Sequence, residues 1–306
     1  VSRRNTRRLR SVDRKTIVTL RGGLGNQLFQ YAFAWALKER TGAPVELDSW
    51  HFTFGHARPL DLQDMPIELP ISPTVLPWWM KHGAATRITD RFPETTGRWL
   101  DVYFEPDRPG YDSRYLSRPR RIYHGYWQCP RYFDEHREEL RRQFRFRDER
   151  DVLAELARIR PGWDRFIAVH IRRGDYLHPV IAAIHGMPEL EYYRRERERL
   201  RAELGERRTV FFTDDPDWLR DESGLLDDES VTAADFLNGS REEFALMRRA
   251  KGLVISNSSF SWWAAYLGEP EMVIAPDYWF RDVTTEAYEI LPEGWLTGKS
   301  QPEPLR

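Results

Sequence analysis

The stretch from residue 16 to residue 48 constrains the fold more than any other part of the chain. TIVTL (16–20) is a short apolar run rich in β-branched residues and reads as a buried first strand. RGGLGNQ follows at once and places Gly22, Gly23 and Gly25 in a tight turn. Leu28, Tyr31, Ala32, Trp35 and Ala36 then recur at helical spacing until Gly42, and PVELD (44–48) resembles a second strand. Strand, glycine turn, helix, strand is a βαβ unit, which joins parallel strands and points to an α/β fold. Glycines between a strand and a helix let backbone amides approach an anion at the helix N-terminus, or they simply turn the chain. A dinucleotide fingerprint is excluded, because Leu28 stands where the third glycine of G-x-G-x-x-G belongs.

The second half repeats the alternation. FIAVHIRR (166–173), TVFFTDD (209–215), GLVISNSS (252–259) and EMVIAPDYW (271–279) read as strands. LEYYRRERERLRAEL (190–204), SREEFALMRRA (240–250) and FSWWAAYLG (260–268) read as the helices between them. Polar residues follow the apolar strands at their carboxyl ends, the edge where open α/β sheets bind ligands. From about 50 to 120 prolines recur and no element is assigned. RIYHGYWQCPRYF (121–133) reads as a strand and turn, followed by two charged helices that end at Pro161-Gly162, taken as a domain junction. The expected organisation is a flexible Arg-rich arm at 1–15, one domain at 16–160 and a second at 161–306, the two facing a central cleft. No internal repeat is found beyond the shared alternation.

Composition narrows the function. In 306 residues, 47 Lys+Arg balance 48 Asp+Glu, which excludes a general polyanion binder such as a nucleic-acid protein. The single cysteine, Cys129, excludes a disulfide framework. No apolar run reaches the roughly 20 residues of a membrane span. The expectation is a cytoplasmic enzyme without a transmembrane segment, with peripheral contact of the arm with an anionic membrane surface as a weaker reading.

Three polar blocks carry chemistry. His170-Ile171-Arg172-Arg173-Gly174-Asp175-Tyr176 puts adjacent arginines beside a glycine at a strand's carboxyl end, which suits a diphosphate or an ordinary ion-pair cluster. Thr213-Asp214-Asp215-Pro216-Asp217 contains Asp-x-Asp, a spacing that holds a metal or caps the next helix; capping is preferred. Ser256-Asn257-Ser258-Ser259 lies between an apolar strand and an apolar helix and either binds phosphate or caps that helix. The histidines show no metal-ligand spacing. Residue chemistry alone reaches an α/β enzyme with a diphosphate-containing ligand.

Together the blocks resemble the α-1,2-fucosyltransferase family, glycosyltransferase family eleven. The resemblance rests on GGLGNQLFQYA (22–32), GYWQCPRYF (125–133), HIRRGDY (170–176), FFTDD (211–215), SNSSFSWWAAYL (256–267) and VIAPDYWF (273–280) in family order. It implies a GT-B-like fold of two Rossmann-like domains, GDP-β-L-fucose as donor, and inversion to an α-L-fucoside on O2 of a terminal galactose. The acceptor, an oligosaccharide or glycolipid, belongs to the N-terminal domain and the nucleotide to the C-terminal one. Carried over residue by residue, Arg172 grips the β-phosphate, with His170, Arg173 and Asp175 as motif neighbours. Gly23, Gly25, Asn26 and Gln27 lie beside the diphosphate and the transferred sugar, and Asp214, Ser258 and Ser259 line the nucleotide pocket. Glu243 stands where the family's helix offers guanine an aspartate. Cations replace a metal in such enzymes, so the resemblance implies neither metal nor other cofactor. Arg172 stabilises charge developing on GDP, and Asp175 is the candidate base. Rival readings are a fucosyltransferase of α-1,6-like linkage and a catalytically silent nucleotide- or sugar-binding module.

Overall fold

A computed structural model describes residues 15–53, 58–73, 101–105, 110–117, 121–146 and 151–301. The chain forms two compact units, Val1–Phe144 and Arg145–Arg306. The division falls before the Pro161-Gly162 junction expected from the sequence. The helix Val152–Ile159 explains the difference, because it packs against the helix Ser240–Met247 of the second unit. The proposed basic arm lies outside the described residues, apart from Lys15.

The N-terminal unit is built on a parallel sheet of β1 (Thr16–Thr19), β2 (Val45–Asp48), β3 (Ile71–Ser72), β4 (Val102–Phe104) and β5 (Ile122–His124). The strand order is β3-β2-β1-β5-β4. Helix α1 (Leu24–Thr41) makes the crossover from β1 to β2 and ends at Gly42, whose φ of 66° is left-handed and whose N–H bonds Lys38 O at 2.8 Å. Leu28, Tyr31, Ala32, Trp35 and Ala36 are all buried, as their spacing predicts. Aromatic side chains fill this core: Phe33 stacks on Trp127 with ring centroids 4.3 Å apart, and Tyr123 and Tyr132 close around the pair.

In the C-terminal unit the strands β6 (Ile167–Ile171), β7 (Thr209–Thr213), β8 (Ser230–Thr232), β9 (Gly252–Val254), β10 (Met272–Pro276) and β13 (Leu296–Gly298) form a second parallel sheet. A small antiparallel pair, β11 (Tyr278–Phe280) and β12 (Val283–Thr284), lies outside it. The order β13-β10-β9-β6-β7-β8 has the doubly wound pattern 3-2-1-4-5-6 when the strands are counted from β6. The chain begins at β6, winds outward through β7 and β8, then returns to β9 on the other side. The connections from β6 and β9 therefore leave in opposite directions, and a crevice opens beyond the carboxyl ends of these two neighbours. In the N-terminal unit the chain winds from β1 through β2 to β3 on one side and then fills β4 and β5 on the other, so its winding reverses between β1 and β5.

Candidate functional site

The predicted polar blocks meet at the switch point of the C-terminal sheet. His170 closes β6 and Ser256 follows β9, and the two side chains touch across the crevice with Nδ1···Oγ at 2.8 Å. His170 is buried, and burial, reinforced by the neighbouring Arg172 charge, pulls its pKa down to about 3. The imidazole is therefore neutral near pH 7 and joins two strand ends.

Arg172 is the next residue but one, where the chain leaves the sheet. Its Nη2 lies 2.5 Å from Asp175 Oδ1 and its Nη1 lies 2.6 Å from Asp214 Oδ2. Asp214, at the end of β7, also accepts from the backbone N–H groups of Arg173 at 2.8 Å and Gly174 at 3.0 Å. One carboxylate thus fixes both the guanidinium and the loop that carries it. Gly174 is required there, because an added Cβ would lie 2.6 Å from Asp214 Oδ2. Arg173 pairs with Asp215 at 2.8 Å and packs its guanidinium over Trp218, 4.2 Å from the ring centroid. Asp215 caps the helix Pro216–Asp221 by accepting from Trp218 N at 3.3 Å, the capping role expected for this block. Among the described residues no three His, Cys, Asp or Glu side chains are grouped to hold a metal.

On the β9 side, Ser258 occupies the N-cap of the helix Ser259–Leu267, but its hydroxyl makes no capping bond. The hydroxyl and the free amides of the first helical turn are what an incoming phosphate oxygen needs. Asn257 is tied down instead: its Nδ2 donates to His185 O at 2.9 Å and to Trp279 O at 3.1 Å. The two acidic residues of the helix Ser240–Met247 separate cleanly. Glu242 Oε2 accepts from Asn238 N at 2.9 Å and closes the start of the helix. Among the described residues the Glu243 side chain has no hydrogen-bond partner, and burial, with the charge of Asp214 adding to it, raises its pKa to about 7. Glu243 is therefore within electrostatic reach of Asp214, which directly follows β7.

The glycine block lies at the carboxyl edge of the N-terminal sheet. Gly23 precedes α1 in extended conformation with no atom within 4 Å of an added Cβ, and Gly25 is buried inside the first turn. Asn26 is half-buried and its Oδ1 accepts from Gln128 Nε2 at 2.8 Å. Gln27, expected beside the diphosphate and the transferred sugar, makes structural bonds in the fold. It is fully buried; its amide donates to Gly22 O at 3.0 Å and Pro59 O at 2.8 Å, and accepts from Leu62 N at 3.2 Å. Those bonds occupy both its donors and make it a strut between the glycine turn and the loop before Leu62.

Sequence reasoning missed two groups here. Gln30 receives Arg21 N at 2.9 Å and donates to Gly125 O at 3.1 Å, joining the β1 and β5 ends. Glu105 accepts from the N–H groups of Tyr126 and, at 2.8 Å, Trp127, and so holds a turn in which Trp127 has a left-handed φ of 58°. Gln30 lies inside the GGLGNQLFQYA block, but its partners, like those of Glu105, are recognised only once β1, β4 and β5 are paired.

Residues 103–297 match the sequence profile of glycosyl transferase family 11. The chain is 29% identical over 291 residues to an α-1,2-colitosyltransferase of Escherichia coli, covering 92% of this chain and 97% of that protein. It is 25% identical to galactoside α-(1,2)-fucosyltransferase 2 of Gorilla gorilla gorilla, over 85% of this chain and 71% of that one. The crystal structure of the fucosyltransferase NodZ from Bradyrhizobium superimposes with a TM-score of 0.50 at 17% identity, covering 83% of this chain and 93% of that chain. This likeness, with two parallel sheets each wound about a switch point, gives the fold as α/β and GT-B-like. Among the described residues no helix is long and apolar enough to cross a membrane. With the profile covering well over half its length, including the arginine block, the Ser258 helix and Glu243, the chain belongs to glycosyl transferase family 11.

Proposed function

We propose that this enzyme is an inverting α-1,2-fucosyltransferase that moves L-fucose from GDP-β-L-fucose to O2 of a terminal galactose, with no metal or other cofactor. The observation that carries the reading is Arg172, held by two carboxylates at the switch point of the C-terminal sheet. Its neighbours fit a nucleoside diphosphate: the uncapped Ser258 and Ser259 at a helix N-terminus for the phosphates, and an unpartnered Glu243 for the base. One carboxylate accepts both the N1–H and the exocyclic amine of guanine, a pair that adenine lacks. The names of both relatives carry the α-1,2 linkage.

Cleaving the fucose–phosphate bond builds positive charge on the sugar and negative charge on GDP. A preorganised donor aimed at the leaving oxygen contributes about 3–4 kcal/mol in comparable sites. Asp175 and Asp214 hold Arg172 in place before substrate arrives, which removes the cost of ordering a long side chain at that moment. His170, neutral and buried against Ser256, acts as a positioning residue for the Arg172 loop. Asp175 is the candidate for receiving the acceptor's proton; one of its oxygens is engaged by Arg172. The cationic block takes the place that a metal holds in other glycosyltransferases, and the aspartates of the Asp214–Asp217 segment are occupied by arginines and a helix cap.

A second reading is transfer of colitose, which is L-fucose without its 3-hydroxyl; it is favoured by the relative aligned over 97% of its length. A donor panel of GDP-fucose, GDP-colitose, GDP-mannose and UDP-galactose, each with a β-galactoside acceptor, tests both. Turnover fastest with GDP-fucose supports the proposal. Turnover confined to GDP-colitose selects the second reading, and turnover with UDP-galactose alone removes both.

A further inference from the structure

We infer that Arg21 forms an oxyanion-binding subsite at the edge of the N-terminal sheet, so that the preferred acceptor carries a carboxylate or phosphate near its terminal galactose. The inference rests on the proposed reaction for the identity of the acceptor side, and on the geometry around Arg21 for its chemistry.

Arg21 leaves the sheet at the switch point between β1 and β5, two residues past Thr19. Its backbone is fixed by Gln30, as described above. Its side chain is fixed on two sides. Nη1 donates to His124 Nε2 at 3.3 Å, and the guanidinium lies over the Tyr126 ring, 4.1 Å from the centroid. Arginine only donates, so His124 Nε2 is an acceptor and the ring proton sits on Nδ1, which donates to Thr19 Oγ1 at 3.0 Å. Burial and the Arg21 charge hold His124 neutral, with its pKa drawn down to about 3. Arg21 is thus the cation at this edge, and His124 orients it.

The opposite edge of the guanidinium is unanswered. Nε is buried and has no hydrogen-bond partner, and no carboxylate among the described residues lies within ion-pair distance of Arg21. The carboxylates near it are engaged elsewhere. Glu105 is held by the amides of Tyr126 and Trp127, and Asp48 accepts Trp50 N at 3.0 Å. Arginine in such a setting normally has a carboxylate, as Arg172 has two. The Nε–Nη2 side of a guanidinium presents two parallel donors that match the two oxygens of a carboxylate or a phosphate. A half-buried cation, stacked on an aromatic ring and with a buried Nε left unpaired among the described residues, can complete its bonding with an oxyanion brought by a ligand. The aromatic ring beside it suits the apolar face of a sugar.

The test compares paired acceptors: a neutral benzyl β-galactoside, the same galactose linked to glucuronic acid, and its 6-phosphate counterpart linked through a neighbouring sugar. Wild type should show a KM about ten- to a hundredfold lower for one charged acceptor than for the neutral one, consistent with a charge-assisted hydrogen bond. Arg21→Gln should remove that advantage while leaving kcat and KM for the neutral acceptor within about twofold. Arg21→Lys, which keeps charge but not the fork, should recover part of it. The neutral acceptor also reports that the variants are folded and that the proposed transfer takes place. Calorimetry with the carboxylated and phosphorylated acceptors on wild type and Arg21→Gln reads the same difference without turnover, so failure of fucosyl transfer does not obscure it. Equal use of neutral and charged acceptors by wild type overturns the inference. So does an Arg21→Gln variant that binds GDP more weakly and every acceptor unchanged, since the oxyanion is then the donor's diphosphate.

Discussion

The two sheets carry the same device at their switch points and use it differently. In each, a histidine at a strand's carboxyl end bonds a hydroxyl on the neighbouring strand's side of the crevice: His170 to Ser256 at 2.8 Å, and His124 to Thr19 at 3.0 Å. Each histidine is held neutral near an arginine, Arg172 or Arg21. The arginines then diverge. Arg172 is locked by two carboxylates, whereas Arg21 lies on a tyrosine ring with no carboxylate in reach among the described residues. A locked arginine suits a transition state, where preorganisation lowers the barrier. An open one suits recognition, where binding supplies the missing partner. The difference teaches that the fold supplies the position and the surrounding carboxylates supply the role.

The largest expected effect lies at the locked arginine. Arg172→Lys should lower kcat about 10²–10³-fold, because lysine cannot reproduce a fork held by Asp175 and Asp214. Arg21→Lys should leave kcat for a neutral galactoside within about twofold. If steady-state kinetics give the two variants equal losses in kcat, the contrast between the edges is wrong.

Glu243→Gln should weaken GDP about tenfold to a hundredfold and erase the preference over ADP by calorimetry, while Glu243→Asp largely keeps both. The raised pKa adds a pH signature. Protonated Glu243 loses the acceptor that guanine needs, so GDP affinity should rise as pH climbs through about 7 and should not do so in Glu243→Gln. A variant that binds GDP as tightly as wild type, with the same pH profile, places guanine recognition elsewhere.

The paired histidines predict a smaller, symmetric effect on stability. Each has a folded pKa near 3 against about 6.5 when unfolded, so its contribution is complete above pH 6.5 and is lost as pH falls toward 3. Each adds at most about 1.4 kcal/mol per pH unit to the slope of stability in that window. Urea unfolding between pH 7 and 4 should show a shallower slope for His170→Asn and for His124→Asn. A slope altered by only one of them breaks the likeness of the two edges. The smallest effect is expected from EDTA, which should leave turnover unchanged; loss restored by Mn²⁺ or Mg²⁺ would return the Asp214–Asp217 segment to metal binding.

Much of the C-terminal unit was legible because its strands are short apolar runs with polar ends and its helices have clear periodicity. Helix Leu190–Leu204 has the limits read from the sequence, and the predicted strands at 166, 209, 252 and 271 are all present, shortened to the residues that pair. Strand Ser230–Thr232 was not anticipated: three residues are too few for a pattern, and pairing with β7 creates it. The arginine block was legible as chemistry, but its partners were not. Asp214 lies forty-odd positions from Arg172, and only the parallel register of β6 and β7 brings them together. The part Gln27 plays in holding the chain was not legible, because its partners Pro59 and Leu62 lie more than thirty positions away in sequence. Arg21 carried no signal at all, since its meaning depends on His124 and Tyr126 arriving from β5.

The central claim is the reaction itself, and the product's linkage tests it most directly. Wild-type enzyme incubated with GDP-fucose and a β-galactoside should give one trisaccharide or disaccharide product whose NMR spectrum shows an α-L-fucosyl anomeric proton correlated to C2 of galactose. A fucose attached at C6 or C3, or a product that forms only from a different sugar nucleotide, would contradict it.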